Sequence, residues 1–283
     1  MIDGPLEAVA FLIVGIATGL TSGTLGVGGG FILVPLLTLL GVPIHQAIGT
    51  SLGFIAIVAL VGGLRHLRQS TADPLLAVSL VVVAAVLAQV GARVSDGLDE
   101  AVLALIFGIV LVAIGIWFFF GPDPEDADEQ RAARRASARP SALRRQRERL
   151  LPSRTRPLRY EVDLRKAAGV GAVVGFTSGM FGVGGGFLMV PLLTLVMAIP
   201  LPIAIGTDLF GVVVTAASGV IAHILLGNVL WDVLLVTVPG GMVAAALGAR
   251  LSVRLSPPVL RLAFLCVLLL GSLKLLYDGS AAL

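Results

Sequence analysis

One cysteine, Cys266, stands in the whole chain, inside an apolar segment. That excludes an internal disulfide and any cysteine-based metal cluster. The residue reads as a small core or lipid-facing side chain. Charge is scarce as well. Asp, Glu, Lys and Arg make up 13% of the 283 residues against 57% apolar ones, and a mean hydropathy of +1.01 excludes an ordinary soluble domain. No basic stretch precedes the first apolar run in "MIDGPLE" and no clear small-residue cleavage site follows it, so the first segment is expected to be retained. The glycine-rich "GVGGGF" lacks the Lys-Ser/Thr pair of a P-loop and follows no strand. It therefore holds no nucleotide, no other enzyme motif is present, and no cofactor is expected.

What the chain does have is apolar segments along nearly its whole length, separated by short polar joints. Lipid offers no partner for a free backbone group, so each segment must be helical or shielded by protein. The expected fold class is an all-α polytopic membrane protein. An internal duplication organises it: "GLTSGTLGVGGGFILVPLLTL" from Gly19 matches "GFTSGMFGVGGGFLMVPLLTL" from Gly175. The match continues through "AIGTS" (Ala47–Ser51) and "AIGTD" (Ala204–Asp208), His66 and His223, and "GAR" at Gly91–Arg93 and Gly248–Arg250. Each half divides into five apolar segments, at 5–24, 31–41, 45–63, 74–92 and 100–120, then 167–181, 187–198, 203–225, 231–249 and 258–277. Residues 1–120 are thus expected to be a first transmembrane repeat, 121–165 a linker and 166–283 a second repeat.

Five is odd, so the repeats should have inverted topology. Loop charge gives the orientation. Thirteen of the twenty Lys and Arg residues fall between Arg131 and Lys166, which reads as a cytoplasmic linker between membrane halves and not as a nucleic-acid site. Counting from it puts "RHLRQ" (Arg65–Gln69) and "RLSVRLSPP" (Arg250–Pro258) inside. It puts the acidic N-terminus, "SDGLDE" (Ser95–Glu100), "LLGN" (Leu225–Asn228) and the C-terminus outside, and the signs agree with cytoplasmic Lys and Arg excess. Inverted repeats are typical of secondary transporters, whose sites lie where the repeats meet.

The glycines point to what such a site would hold. The second segment of each half is about eleven residues, roughly 16 Å of helix against a hydrocarbon core of about 30 Å. It is therefore broken or re-entrant, and its glycine turn lies deep. A turn built from Gly26, Gly28, Gly29 and Gly30, and again from Gly182, Gly184, Gly185 and Gly186, can take positive φ and aim backbone N–H groups at a bound group. It also opens a half-helix whose dipole attracts anions. Close helix packing is the other reading of the same glycines. Thr21 and Ser22, with Thr177 and Ser178, precede the turns by about one helical turn, placed either to donate to an oxyanion or to bond their own helix carbonyls. Thr50 and Ser51, matched by Thr207 and Asp208, lie about a turn and a half into the third segments. Asp208 breaks the symmetry: it either carries a proton or cation in coupling or caps backbone N–H groups near Pro202. Arg93 and Arg250 read as snorkelling to the interface, His66 and His223 as interface histidines, and Gln89 as interhelical glue.

These paired "TSGxxGVGGGFxxVPLLTL" blocks, the "AIGTS/AIGTD" that follows and the Arg-rich connection resemble the sulfite exporter TauE/SafE family, also called the 4-toluene sulfonate uptake permease family, over all but the linker. The resemblance implies a multi-pass transporter in the cytoplasmic membrane of a prokaryote, taking sulfur-containing anions such as sulfite or an organosulfonate, with no ATPase of its own. The glycines, Thr50 and Thr207 are the residues it carries over. Together the readings give a secondary transporter, an exporter driven by protons or membrane potential, with a small anion and membrane lipid as partners and a homo-oligomer left open. A passive anion channel or a scaffold subunit are the alternatives.

Overall fold

The computed structural model describes residues 4–25, 29–66, 74–120, 148–151, 158–161, 163–197, 199, 201–251 and 257–282. Among them are ten helices: α1 (Pro5–Leu25), α2 (Gly30–Leu39), α3 (Ile44–His66), α4 (Pro74–Asp96), α5 (Glu100–Phe120), α6 (Leu164–Phe181), α7 (Gly186–Leu195), α8 (Leu201–Leu225), α9 (Trp231–Leu251) and α10 (Pro257–Ala282). Within the linker a four-residue antiparallel pair, β1 (Glu148–Leu151) with β2 (Leu158–Glu161), is the one departure from an all-helical fold among the described residues. Three helices begin on proline, whose missing N–H costs nothing at a first position. Asp163 opens α6 by accepting from Arg165 N at 3.0 Å.

Three helices, at Pro5–Thr24, Leu76–Asp96 and Trp231–Gly248, are long and apolar enough to cross a membrane, and much of their surface faces outward. On α4 the outward stripe is Val78, Val82, Val86, Val90 and Val94, repeating every four residues, while Leu80, Ala84, Ala88 and Ala92 are buried. An apolar ladder turned away from the core suits lipid and would be a liability in water.

Two seams of small residues set the frame. Gly15, Gly19 and Gly23 on α1 lie against the backbone of Thr237, Gly241 and Ala245 on α9, so closely that a Cβ at Gly19 would stand 2.2 Å from Gly241 O. Gly171, Gly175 and Gly179 on α6 lie in the same way on Leu80, Ala84 and Ala88 of α4, with 2.1 Å from a Cβ at Gly175 to Ala84 O. Both are small-xxx-small faces that let two backbones touch. Residue numbers rise together along each seam, so its two helices run in the same direction.

By contrast α3 packs antiparallel to α8, and α5 to α10: Gly49 meets His223 while Leu52 meets Gly219, and Gly279 meets Ala101 while Gly108 meets Leu276. At one end His45 Nε2 donates to Ser95 O at 2.9 Å, tying the start of α3 to the end of α4, and its Nδ1 stands 3.5 Å from Glu100 Oε1 at the start of α5. The α8–α9 connection joins this end through Asn228 Nδ2, 2.6 Å from Asp96 Oδ1. Helix α4 therefore continues through Ser95, which is buried, and the joint expected at 95–100 shortens to Gly97–Asp99.

The same geometry resolves the short helices. Helix α1 starts at the His45 end because it parallels α9, and α2 finishes there because four residues join Leu39 to Ile44. Gly30, at the other end of α2, reaches Ile55, the twelfth of the 23 residues of α3. The N-terminal end of α2 is thus seated against the middle of α3 while its C-terminal end lies at the His45 end.

Candidate functional site

Both glycine turns end on the same face of α3. A Cβ on Gly30 would stand 2.6 Å from Gly182 O and 2.9 Å from Val183 Cα, so the first turn touches the second. Gly182 lies on Ile48, and Gly184 and Gly30 both lie on Ile55. Between them Ser51 Oγ donates to Gly182 O at 2.7 Å, with Gly30 O at 3.5 Å. Ile48, Ser51 and Ile55 share a helix face by their spacing, and that face is the floor on which the two turns meet.

The turns are left-handed where the sequence has glycine. Gly29 has φ 76°, Gly182 72°, Gly184 75° and Gly185 90°, a region that costs other L-residues roughly 1–2 kcal/mol. Gly29 and Gly185 are the N-caps of α2 and α7, so no N-cap side-chain oxygen closes the first turn of either helix. Gly30 and Gly186 are their first helical residues and are buried. Gly26 and Gly28 lie outside the described residues. A methyl group added at Gly29 or Gly185 would meet packed side chains: Ser22 Cβ at 2.9 Å and Thr18 in the first turn, Val174 Cγ1 at 2.6 Å in the second. Close packing therefore accounts for those two Cα–H positions.

The hydroxyls divide. Thr21 Oγ1 donates to Ala17 O and Thr18 O, and Thr177 Oγ1 to Val173 O and Val174 O, each bonding its own helix. Ser178 is buried and its Oγ has no partner in the structure; Ser22 faces Gly29. Thr50 is buried and accepts from Leu230 N at 3.0 Å, holding the start of α9. Thr207, its counterpart, is buried with Oγ1 unpartnered.

Asp208 is 1% exposed and its Oδ1 has no hydrogen-bond partner. It is the eighth residue of α8, beyond the first turn whose N–H groups a cap would serve, so the capping reading does not hold. One turn away on either side, Ala204 shares a buried cluster with Met189, and Gly211 lies on the Met189 side chain. Asp208 thus sits on the face of α8 that meets α7. His223 is likewise no interface residue: it is fully buried, with Nε2 3.0 Å from Gly179 O. Gln89 does serve as interhelical glue, donating to Ser218 O at 2.7 Å. The side chains of His66 and Arg250 lie outside the described residues, and Arg93 is exposed.

Two features escaped the sequence reading. Thr18 is buried with an unpartnered Oγ1, and its Cγ2 would stand 3.1 Å from a Cβ on Gly29; the signal was its pairing with Val174 in the duplication. The seams were readable too, as Gly-xxx-Gly-xxx-Gly in the first segment of each half.

A helical bundle whose long apolar helices turn much of their surface outward belongs to the integral membrane proteins, since lipid demands that every backbone group be paired within the protein. Comparison with known proteins gives the family. Residues 11–275 match the model of the sulfite exporter TauE/SafE family, and the chain belongs to that family of membrane transporters. It is 27% identical to the "Probable membrane transporter protein YunE" of Bacillus subtilis (strain 168), covering 97% of this chain and 99% of that one. It is 24% identical to the "Probable membrane transporter protein MJ0441" of Methanocaldococcus jannaschii, over 89% and 88%. A "Probable membrane transporter protein" of Xylella fastidiosa (strain Temecula1) is 29% identical over 84% and 82%. No solved structure matches the chain.

Proposed function

We propose that the protein is a secondary transporter of small sulfur-containing anions, sulfite or an organosulfonate, exporting them by alternating access at the meeting point of the two glycine turns. The observation that carries this is the contact of Gly30 with Gly182 across the Ser51 bridge. It sets the N-terminus of α2 against the loop that leads from the C-cap of α6 to α7, with Gly30 and Gly184 sharing Ile55, and helix N-termini favour an anion. Buried hydroxyls of Thr18, Ser178 and Thr207 without partners add unspent donors to the described helices on either side.

The helix pairing supports two inverted repeats. First and fourth segments of opposite halves lie side by side in both seams, and third and fifth segments pair antiparallel with their counterparts, as a two-fold axis in the membrane plane requires. On this reading the His45 end faces outside, with both termini there, and protons or membrane potential drive transport. Asp208 is the coupling residue, because an ionisable side chain kept inside a bundle is costly and by default functional.

Proteoliposomes loaded with sulfite or methanesulfonate test the function: saturable flux that responds to a pH gradient is expected, and flux that neither saturates nor couples would make the protein a channel. Orientation is tested in a Cys266→Ser background. Gly97→Cys, exposed with room for a side chain, should label from outside intact cells.

A further inference from the structure

His223 is built into the second turn in a way that the anion site alone does not need. Gly179 O belongs to the last turn of α6, three residues before Gly182, or about 4.5 Å of helix. A carbonyl oxygen can only accept, so Nε2 of His223 must carry the proton in this bond. In the neutral ring Nδ1 is then a bare lone pair, and it is buried without a partner. The ring is held in place on several sides. Gly49 of α3 presses on its Cβ, its own carbonyl accepts from Asn228 N at 2.8 Å, and the Asn228 side chain holds Asp96. The charged neighbours whose fields reach it are Asp96 of α4 and His45 of α3, the latter facing Glu100. A buried ring nitrogen left without a partner is uncommon, and Nδ1 is the one position on the ring still open to a proton.

We propose that His223 is a proton-binding residue of the transport cycle, taking a proton on Nδ1 from water at the His45 end when an anion occupies the second turn and releasing it when the anion leaves. The step is a simple protonation: the Nδ1 lone pair forms the new N–H bond, no bond in the protein breaks, and Nε2–H keeps Gly179 O. The imidazolium then places a positive charge beside the turn that holds the anion. Helix α8 carries an ionisable group toward each end, Asp208 and His223, fifteen residues or about 22 Å apart. The proposal rests on the anion-transport reading, and by linkage whatever factor the anion adds to proton affinity the proton adds to anion affinity.

The test is imidazole nitrogen NMR of the full-length, histidine-labelled protein in nanodiscs, titrated from about pH 5 to about pH 9, with and without methanesulfonate, whose own charge is constant over that range. Three histidines are present, so His45→Gln and His66→Gln assign the third signal. The expected result is that the His223 signal passes from the Nε2–H tautomer to the imidazolium as pH falls. Methanesulfonate should raise its midpoint by about one unit, equivalent to tenfold tighter anion binding at the acidic end. The same titration in Asp208→Asn should be retained. A His223 signal that keeps one tautomer throughout overturns the proposal, as does a midpoint that methanesulfonate leaves in place while binding. If methanesulfonate and sulfite both fail to bind the wild type, the anion reading falls instead, and a flat His223 titration would then be needed to sink the proton site as well. In an Asp208→Asn background, His223→Gln, which keeps an N–H donor for Gly179 O, should bind methanesulfonate with no dependence on pH between about 5 and about 9. Persistence of the wild-type dependence in that variant also overturns the idea.

Discussion

At the first turn the glycine that opens the short helix, Gly29, backs onto Thr18 and Ser22; at the second, Gly185 backs onto Val174 and Ser178. The facing helices differ in the opposite sense. Helix α3 offers Ser51, whose hydroxyl is already given to Gly182 O, whereas α8 offers Asp208, with a carboxylate oxygen given to nothing. The sequence of the two turns is duplicated and their lining is not. Both halves keep unpartnered hydroxyls, Thr18 in the first and Ser178 and Thr207 in the second, and only the second adds an ionisable group at the matched position. A strictly symmetric pair of turns would hold an anion equally well from either side of the bundle and would have no place to couple a proton. On the transport reading proposed above, asymmetry in the lining is what would let the duplicated frame be driven.

The frame itself gives the largest expected effect. Gly175→Val should abolish the folded protein, because its Cβ alone would stand 2.1 Å from Ala84 O and neither backbone can retreat without parting the seam. The matching Gly19→Val, at 2.2 Å from Gly241 O, should do the same. Overlap of this kind with backbone lies beyond the roughly 4–5 kcal/mol that marks severe substitutions. Size-exclusion profiles in mild detergent are the readout. A monodisperse peak from one variant and not the other would show that the two seams carry the fold unequally.

Next in size is Asp208→Asn, which tests the chemical half of the comparison. The side chain keeps its volume and loses its charge, so the bundle should still fold, and anion binding should survive because the glycine turns are untouched. Accumulation of sulfite or methanesulfonate against its gradient, driven by a pH difference across proteoliposomes, should fall to background while exchange of one anion for another persists. Proton flux measured with substrate flux is the decisive readout. Intact coupling would return Asp208 to a structural role and leave the proton to His223.

Smaller effects come from the turns. Gly29→Ala and Gly185→Ala each force a left-handed φ on alanine, a cost of roughly 1–2 kcal/mol. They differ in what the methyl group meets: the root of Ser22 in one case, the movable tip of Val174 in the other. Gly29→Ala should lower the thermal midpoint more than Gly185→Ala, with flux reduced in both. Equal midpoints would mean that strain alone, and not packing, sets the cost.

Much of this was legible in sequence and some could not be. The ten helices follow from apolar runs that lipid forces to be helical, and the matched blocks located both turns within a residue. Loop charge could not show that α4 runs on through Ser95, because a polar residue at a helix end and one in a loop look alike until His45 is seen to bond the Ser95 carbonyl. His223 reads as an interface residue from its place near a segment end; only the carbonyl of Gly179 on α6 shows that it has a buried partner. The hydroxyls of Thr21 and Ser178, similar on paper, separate according to which face of the helix each occupies, and a one-residue difference in phase is about 100° of rotation. Partnering between the halves decides these cases, and no local pattern records it.

The finest test of the comparison is Thr18→Val, which gives the first turn the lining of the second. Valine matches threonine in shape and removes an Oγ1 that is buried without a partner. Keeping such a group costs about 1–3 kcal/mol when nothing satisfies it, so a purely structural Thr18 predicts a variant more stable than the wild type with unchanged function. If Thr18 donates to the anion, stability should still rise, since the empty protein no longer carries the unsatisfied hydroxyl. Affinity for methanesulfonate should then drop about threefold to tenfold, the worth of one hydrogen bond at roughly 0.5–1.5 kcal/mol. Calorimetric binding beside a thermal midpoint separates the two. A raised midpoint with weakened binding marks the hydroxyl as held in reserve for a ligand. A raised midpoint with equal binding would make the polarity of the first turn incidental, and the contrast between the halves would then rest on Asp208 alone.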